Sequence, residues 1–456
     1  MDVKALLERQ RAYFLSGATR SPAVRVLMLD RLYREIKKME PEINAALEAD
    51  LGKSAYETYM CETGLTLSEI SYMKKHLRKF SGRKRVHTPL AQFPSRSYIL
   101  REPYGCVLIM SPWNYPFMLT LEPLADAVAA GNTVVLKPSA YSPNTSAVIR
   151  RLISNVFPEE YVAVVEGGRA ENADLLEQKF DYIFFTGGTQ VGRLVLEKAA
   201  KHFTPVTLEL GGKSPCIVDE SADLKVAARR IAFGKYLNCG QTCVAPDYLL
   251  IQESVKDKFL ELFYAAVREM YGETPLENPN YGRIVNEKHF DRLSGILDSE
   301  TILFGGERDR ETLRIAPAVV GPVAPEGAAM GQELFGPILP VMTYRELDEA
   351  ISFVLSRPRP LALYIFSRHR PHIDRVQQMC SYGGGCVNDT IIHLATSEMP
   401  FGGVGMSGMG GYHGQRGFET FTHEKATVDK ANWLDLPFRY QPYSALKDRL
   451  IRMFLH

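Results

Sequence analysis

The sequence predicts an α/β fold with more than one domain. Three observations carry this prediction. From Gly105 onward, short apolar runs alternate with stretches of helical periodicity. A second block with the same alternation runs from about Pro215 to Ser367. Residues 1–80, by contrast, read as helices alone. Alternating strands and helices imply parallel sheets with helices packed on their faces. At 456 residues the chain exceeds one ordinary core and calls for two or three domains.

In order along the chain, Ser21-Pro22 is a helix-start signal, with Pro at the first helical position. Leu27, Leu29, Leu32, Ile36 and Met39 then recur at near-helical spacing. Residues 82–98 are basic and carry Pro89 and Pro94, which suits a protruding strand pair or linker. Buried strands are expected at 107–110, 133–136, 162–165 and 182–185, with helices near 117–130, 143–155 and 189–200. Beyond residue 367 the chain is rich in Gly and aromatic residues. No internal repeat or low-complexity tract is evident.

Composition narrows the function. Apolar residues make up 45% and charged residues 23%, as in soluble globular proteins. A net charge of +1 leaves no broad footprint for nucleic acid. The seven cysteines are odd in number and scattered, which fits a reducing cytoplasm better than a disulfide framework. The N-terminus has no signal-peptide core, and no apolar run reaches the roughly eighteen residues of a transmembrane segment. At the C-terminus Leu446, Leu450, Met453 and Phe454 share one helical face, with Lys447, Arg449 and Arg452 elsewhere. Docking of this tail on its own protein or a twin subunit is favoured over contact with a membrane surface.

The chemistry concentrates in a few segments. Leu237-Asn238-Cys239-Gly240-Gln241-Thr242-Cys243 puts a thiol behind a Gly-Gln turn, and Leu208-Glu209-Leu210-Gly211-Gly212-Lys213 sets a carboxylate before a glycine pair. A thiolate is a strong nucleophile near neutral pH, and a carboxylate can activate water to release an acyl group. Ser111-Pro112-Trp113-Asn114-Tyr115-Pro116 is a turn stiffened by two prolines, which can hold the Asn114 amide toward a developing oxyanion or serve structure alone. Val135-Leu136-Lys137-Pro138-Ser139 ends a strand where α/β sheets bind ligands; a solvated lysine is the plain alternative. Thr186-Gly187-Gly188-Thr189 and Gly192 lie where a strand feeds a helix, suited to an anion or simply to tight packing. Glu333 and Phe335 flank a stiff Gly-Pro turn and offer an acceptor for ribose hydroxyls and a ring to pack on a flat ligand. Pro400-Phe401-Gly402-Gly403 opens a loop too glycine-rich for helix or strand. No zinc-like cysteine spacing and no His-Glu-x-x-His run occurs, so no metal is expected.

Taken in this order, Pro-Trp-Asn, Lys-Pro-Ser, Phe-Thr-Gly-x-Thr, Leu-Glu-Leu-Gly-Gly-Lys, Asn-x-Gly-Gln-x-Cys, Glu-x-Phe-Gly-Pro and Pro-Phe-Gly-Gly, the segments resemble the aldehyde dehydrogenase superfamily over roughly residues 100–430. The ending Gly411-Tyr412-His413-Gly414 and the run Cys243-Val244-Ala245-Pro246 are similar to its class 3 branch. The resemblance implies a Rossmann-type NAD(P)-binding domain (1–80 and 99–208), an α/β catalytic domain (209–400), a small β oligomerisation element (81–98 and 401–440) and the tail 441–456. It implies NAD(P)-dependent oxidation of an aldehyde to a carboxylic acid by a homodimer. Cys243 would attack the aldehyde, Asn114 would bind the oxyanion, and Glu209 would activate water. Lys137, Ser139, Ala140, Thr186, Gly187, Gly188, Thr189, Gly192, Glu333 and Phe335 would contact the cofactor. Tyr115, Thr242, Ile391 and Phe401 would border a tunnel for medium-chain aliphatic or aromatic aldehydes.

Three positions depart from the family pattern. Gly188 replaces a more usual Ser or Asn, Ala140 stands where class 3 members commonly carry a glutamate, and Cys239 occupies a position usually held by an unreactive small residue. Loss of the glutamate leads to the expectation that NADP serves at least as well as NAD. Cys239 raises the question of a reversible bridge to Cys243, which requires Cα atoms within about 7 Å. Two other readings stay open: a relative that passes its acyl group to coenzyme A, and a silent binding protein on the same scaffold.

Overall fold

The computed structural model describes residues 2–455. Its first sheet has six strands in the spatial order Gly408–Met409, Val206–Glu209, Tyr182–Thr186, Cys106–Met110, Thr133–Lys137, Val162–Val164. All pairings are parallel except the antiparallel Gly408–Met409 edge. In Cys106–Met110, Val107 and Ile109 enter one apolar cluster, and Cys106, Leu108 and Met110 enter another. A strand buried on both faces has no alternation to show, which is why these runs are continuously apolar. The helix Val3–Leu15 covers one face through Val3, Leu6 and Leu7. Met118–Ala130, buried along its whole length, packs on the other.

The second sheet has seven strands in the order Ile302–Gly305, Ala318–Val320, Ile338–Tyr344, Tyr248–Gln252, Pro215–Val218, Ala362–Phe366, Gly384–Val387. Only its Ile302–Gly305 edge is antiparallel. A third sheet joins Lys84–Val86, Ser95–Pro103 and Thr422–Lys430, all antiparallel. The basic stretch near 82–98 is thus a strand pair, completed by a strand from the far end of the chain.

The expected elements occur with small shifts: helices Met118–Ala130, Pro143–Val156 and Thr189–Ala200, and Pro22–Lys38 starting at the Ser21-Pro22 signal. Leu27 is exposed, whereas Leu29, Leu32, Ile36 and Met39 are buried. Residues 401–421, grouped by sequence with the protruding segment, instead return to the first sheet. Gly408 pairs with Glu209, and the helix Gly414–Thr420 packs on Met118–Ala130. The glycines that suggested an irregular loop permit this close approach: a Cβ at Gly408 would sit 2.3 Å from the Leu208 carbonyl oxygen. The tail forms the helix Ala445–Phe454, capped by the Ser444 hydroxyl, with Leu446 and Met453 exposed. Among the described residues no helix is long and apolar enough to cross a membrane.

Candidate active site

The helix Leu224–Tyr236 runs into a tight turn in which Asn238 and Cys239 take left-handed φ of 52° and 53°. Backbone strain of this kind clusters at functional sites. The turn is held from inside. The Gln241 amide donates to the carbonyls of Asn238 (3.1 Å) and Arg283 (3.0 Å) and accepts from Val285 N–H (3.0 Å). Gly240 is required because a Cβ would lie 2.3 Å from the Gly336 carbonyl oxygen. Asn114 Nδ2 donates to the Gln241 carbonyl (3.0 Å), so the amide from the Pro-Trp-Asn turn is fixed beside the Cys243 loop.

Two cavities meet at Cys243. One, of about 170 Å³, is lined almost wholly by apolar groups, including Met60, Leu65, Phe233, Tyr115, Ile391 and Phe401. Thr242 lies in its wall and hydrogen-bonds the Tyr115 hydroxyl at 2.6 Å. All four residues expected around a tunnel are therefore brought together. The other cavity, of about 560 Å³, runs over the first sheet past Asn114, Thr186, Gly187, Gly188, Thr189, Glu209, Glu333 and Phe335.

Glu209 ends its strand with a side chain only 2% exposed, and neither carboxylate oxygen has a hydrogen-bond partner. Burial pushes its pKa well above the usual carboxylate range. A Cβ on Gly402 would sit 2.4 Å from the Gly410 carbonyl oxygen and 2.8 Å from Gly411 Cα, which accounts for the glycine after Phe401, and 3.2 Å from Glu209 Oε1. The Cys243 thiol is pushed up to about 12, first by burial and then by the charges of Glu333 and Glu209. Glu333 is raised to about 8 by burial and by Asp247, against the lowering effects of the Gly212 N–H, Lys213 and Arg292. Its loop is pinned by Asp247, which accepts from Leu334 N–H (3.0 Å) and pairs with Lys213 (2.5 Å). A Cβ at Gly211 would meet Glu333 Oε2 at 2.0 Å, so the first glycine of the pair after Glu209 makes room for a second carboxylate.

The long cavity suits a dinucleotide. Gly188 caps the helix Thr189–Ala200 without a side chain, and a Cβ there would meet nothing within 4 Å. Helix-start amides facing such a space favour phosphate. Thr186 Oγ1 is buried without a partner at the same edge. Phe335 stands edge-on to Trp113, with centroids 5.3 Å apart.

Some expected residues fall elsewhere. Gly192 does not line the cavity; a Cβ would be 2.7 Å from Leu210, so its role is the packing one. Lys137, Ser139 and Ala140 lie at the same strand ends but outside the cavity wall. Lys137 is buried, its Nζ donating to the carbonyls of Pro138 (2.9 Å) and Gly167 (2.7 Å), and burial lowers its pKa. Ser139 is half-buried and Ala140 exposed. Cys239 packs beside Gly282 and Tyr281 in the second sheet's core, lines neither cavity, and is free, as is Cys243. The geometry thus gives the bridge no support. Met60, Leu65 and Phe233 carried no motif, and Tyr412 and His413 were noted only as a branch signature, yet all line the apolar cavity. His289 and Arg292 line the long one from the helix Glu287–Ser299. Among the described residues no cluster could hold a metal ion.

The aldehyde dehydrogenase family model matches residues 1–427. The chain is 48% identical over 446 residues to 4,4'-diaponeurosporen-aldehyde dehydrogenase of Staphylococcus aureus, covering 97% of each. It is 44% identical over 453 residues to mouse aldehyde dehydrogenase family 3 member A2 (98% of this chain, 93% of the relative). It is 42% identical over 450 residues to the dog protein named aldehyde dehydrogenase, dimeric NADP-preferring (98% and 99%). The solved substrate-bound state of Staphylococcus aureus AldH superposes with a TM-score of 0.98 at 46% identity, over 100% of both chains. A thiol between an apolar cavity and a dinucleotide-shaped one, in a chain matched along nearly its full length, places this protein in the aldehyde dehydrogenase family, as an enzyme that oxidises aldehydes with NAD or NADP.

Proposed function

We propose that oxidation proceeds through a thioester on Cys243 that water, activated by Glu209, then hydrolyses. The observation that carries this reading is the buried Glu209 carboxylate, without partners, lining the same cavity as Cys243. The aldehyde chain occupies the apolar cavity and brings its carbonyl carbon to Cys243 Sγ, whose thiol proton leaves to solvent as the carbon–sulfur bond forms. Asn114 Nδ2 and the Cys243 N–H donate to the carbonyl oxygen as it gains charge. NAD(P) held along the long cavity would supply the hydride acceptor for this oxidation. Glu209 takes a proton from water as its oxygen attacks the thioester, and the carboxylic acid departs with Cys243 regenerated. Glu333 offers an acceptor to the ribose beside the nicotinamide, and the amides after Gly187 and Gly188 offer donors to the pyrophosphate. An aldehyde incubated with NAD, with and without coenzyme A, should give free acid at the same rate in both. An acyl-coenzyme A product would replace this reading with thiol transfer.

The apolar walls suit medium-chain aliphatic or aromatic aldehydes. A reducing cytoplasm is the compartment we assign, in keeping with seven free cysteines. The protruding three-stranded sheet and the exposed Trp433 suit pairing between copies, and the dog relative is named dimeric. Light scattering at micromolar concentration should return at least twice the 51.2 kDa chain mass; a monomer mass would count against a dimer.

Cofactor choice follows from residue 140. A glutamate there would accept from ribose hydroxyls and repel a 2′-phosphate. Ala140 does neither, and Lys137 stands three residues before it, at the end of the strand. NADP is expected to give a kcat/KM at least comparable to that of NAD with one good aldehyde. A hundredfold preference for NAD, about 2.7 kcal/mol, would put the control at another residue.

A further inference from the structure

Lys53 and Glu62 form an ion pair at 2.5 Å in which neither side chain has any exposure. Removing two charges from water usually costs more than their attraction returns, so such a pair is weak evidence for stability. Its contacts all converge on one segment. Lys53 Nζ donates to the Asn114 carbonyl at 2.8 Å and stands 4.0 Å from the centroid of the Tyr115 ring. Glu62 Oε2 accepts from the N–H groups of Phe117 (2.8 Å) and Met118 (3.1 Å), where the helix Met118–Ala130 begins. The pair therefore grips the turn 114–118 at both ends.

Glu62 reaches this position through a π-helical turn, Tyr59–Thr63, a local distortion that recurs at functional sites. Gly64 permits it, since a Cβ there would lie 2.6 Å from the Tyr59 carbonyl oxygen. The Asn114 carbonyl also accepts from Asn238 Nδ2 at 2.8 Å, and Asn238 Nδ2 lies 3.2 Å from the Gln241 carbonyl that Asn114 Nδ2 contacts. Lys53 thus sits behind the oxyanion amide and is connected through it to the turn bearing Cys243.

We propose that Lys53 and Glu62 are positioning residues for aldehyde oxidation: by holding the backbone of the turn 114–118 they fix the place of the Asn114 side-chain amide. This rests on the reading of Asn114 as oxyanion donor. Neither residue touches substrate; both act through the turn 114–118.

The test is a set of variants followed by stopped-flow formation of reduced cofactor, cofactor affinity and thermal midpoint. Lys53→Met should slow the first turnover about 30- to 100-fold, short of the roughly 10²- to 10³-fold of losing an oxyanion donor outright, with cofactor affinity within about twofold of native. Lys53→Met/Glu62→Gln removes both charges; it should recover most of the thermal midpoint but not the first-turnover rate. If Lys53→Met does not fold, this double variant carries the test. Recovery of rate together with the midpoint would make the pair merely structural and overturn the proposal. Lys53→Met placed on Asn114→Ala should cost little further, because the two act on one interaction. Full additivity would overturn action through Asn114. An Asn114→Ala enzyme with native first-turnover rate would instead refute the oxyanion reading, a result distinct from either failure of Lys53.

Discussion

Cys243→Ala should lower aldehyde oxidation by at least about 10⁴-fold, since loss of a nucleophile removes a step that no neighbour replaces. The first turnover should vanish along with the steady state. Affinity for NAD(P) should stay close to native, because Cys243 sits at the end of the long cavity and its truncation leaves Glu333, Gly187 and Gly188 untouched. Cys61 also lines the apolar cavity, but it is absent from the wall shared with Glu209 and Asn114, and its thiol is likewise pushed up to about 12 by burial. Retained activity in the alanine variant would move the nucleophile to such a site. Stopped-flow cofactor reduction and equilibrium titration separate the two effects.

Glu209→Gln should behave differently, keeping one rapid turnover per active site and then stalling with acyl enzyme accumulated. The steady-state rate should fall by roughly 10² to 10³-fold, the usual weight of a general base. Mass spectrometry of the stalled enzyme should find the acyl group on Cys243. The pH dependence carries a second signature. Burial raises the Glu209 pKa, so its basic form is present above that raised value and is lost as pH falls through it. The native rate should therefore decline on the acid side at a pH above the ordinary carboxylate range, and the glutamine variant should lack that limb. Equal loss of first turnover and steady state would mean that another group activates the water.

The fold was legible where the physics is local. Continuous apolar runs such as 107–110 and 182–185 announced parallel strands, and Ser21-Pro22 announced a helix start. Of the candidate site, Cys243 behind Gly240-Gln241 and Glu209 before Gly211-Gly212 stood out in the sequence, and the structure brings both to one cavity. What escaped was set by long-range packing. Gly192 looked like a phosphate glycine, but Leu210 claims the space beside it. Met60 and Leu65 looked like ordinary helix residues, and only tertiary packing brings them to the cavity with Cys243. Lys53 and Glu62 have no motif at all, because their meaning lies in the backbone of a turn far along the chain.

The return of residues 401–412 to the first sheet has a consequence for how this enzyme can diversify. Gly408 pairs with Glu209, and Phe401 makes an isolated bridge to Tyr412, so the segment 401–412 both braces the strand of Glu209 and supplies part of the apolar cavity wall. On the proposed mechanism, reshaping that wall for a new aldehyde is expected to disturb hydrolysis at the same stroke. Met60, Leu65, Phe233 and Ile392, which also line the cavity, belong to separate helical segments with no strand in common with Glu209. Met60 shares the π-helical turn that carries Glu62, and Phe233 lies on the helix that leads into the Cys243 turn, so Leu65 and Ile392 are the lining positions where substrate range is expected to drift with the least disturbance to the chemistry.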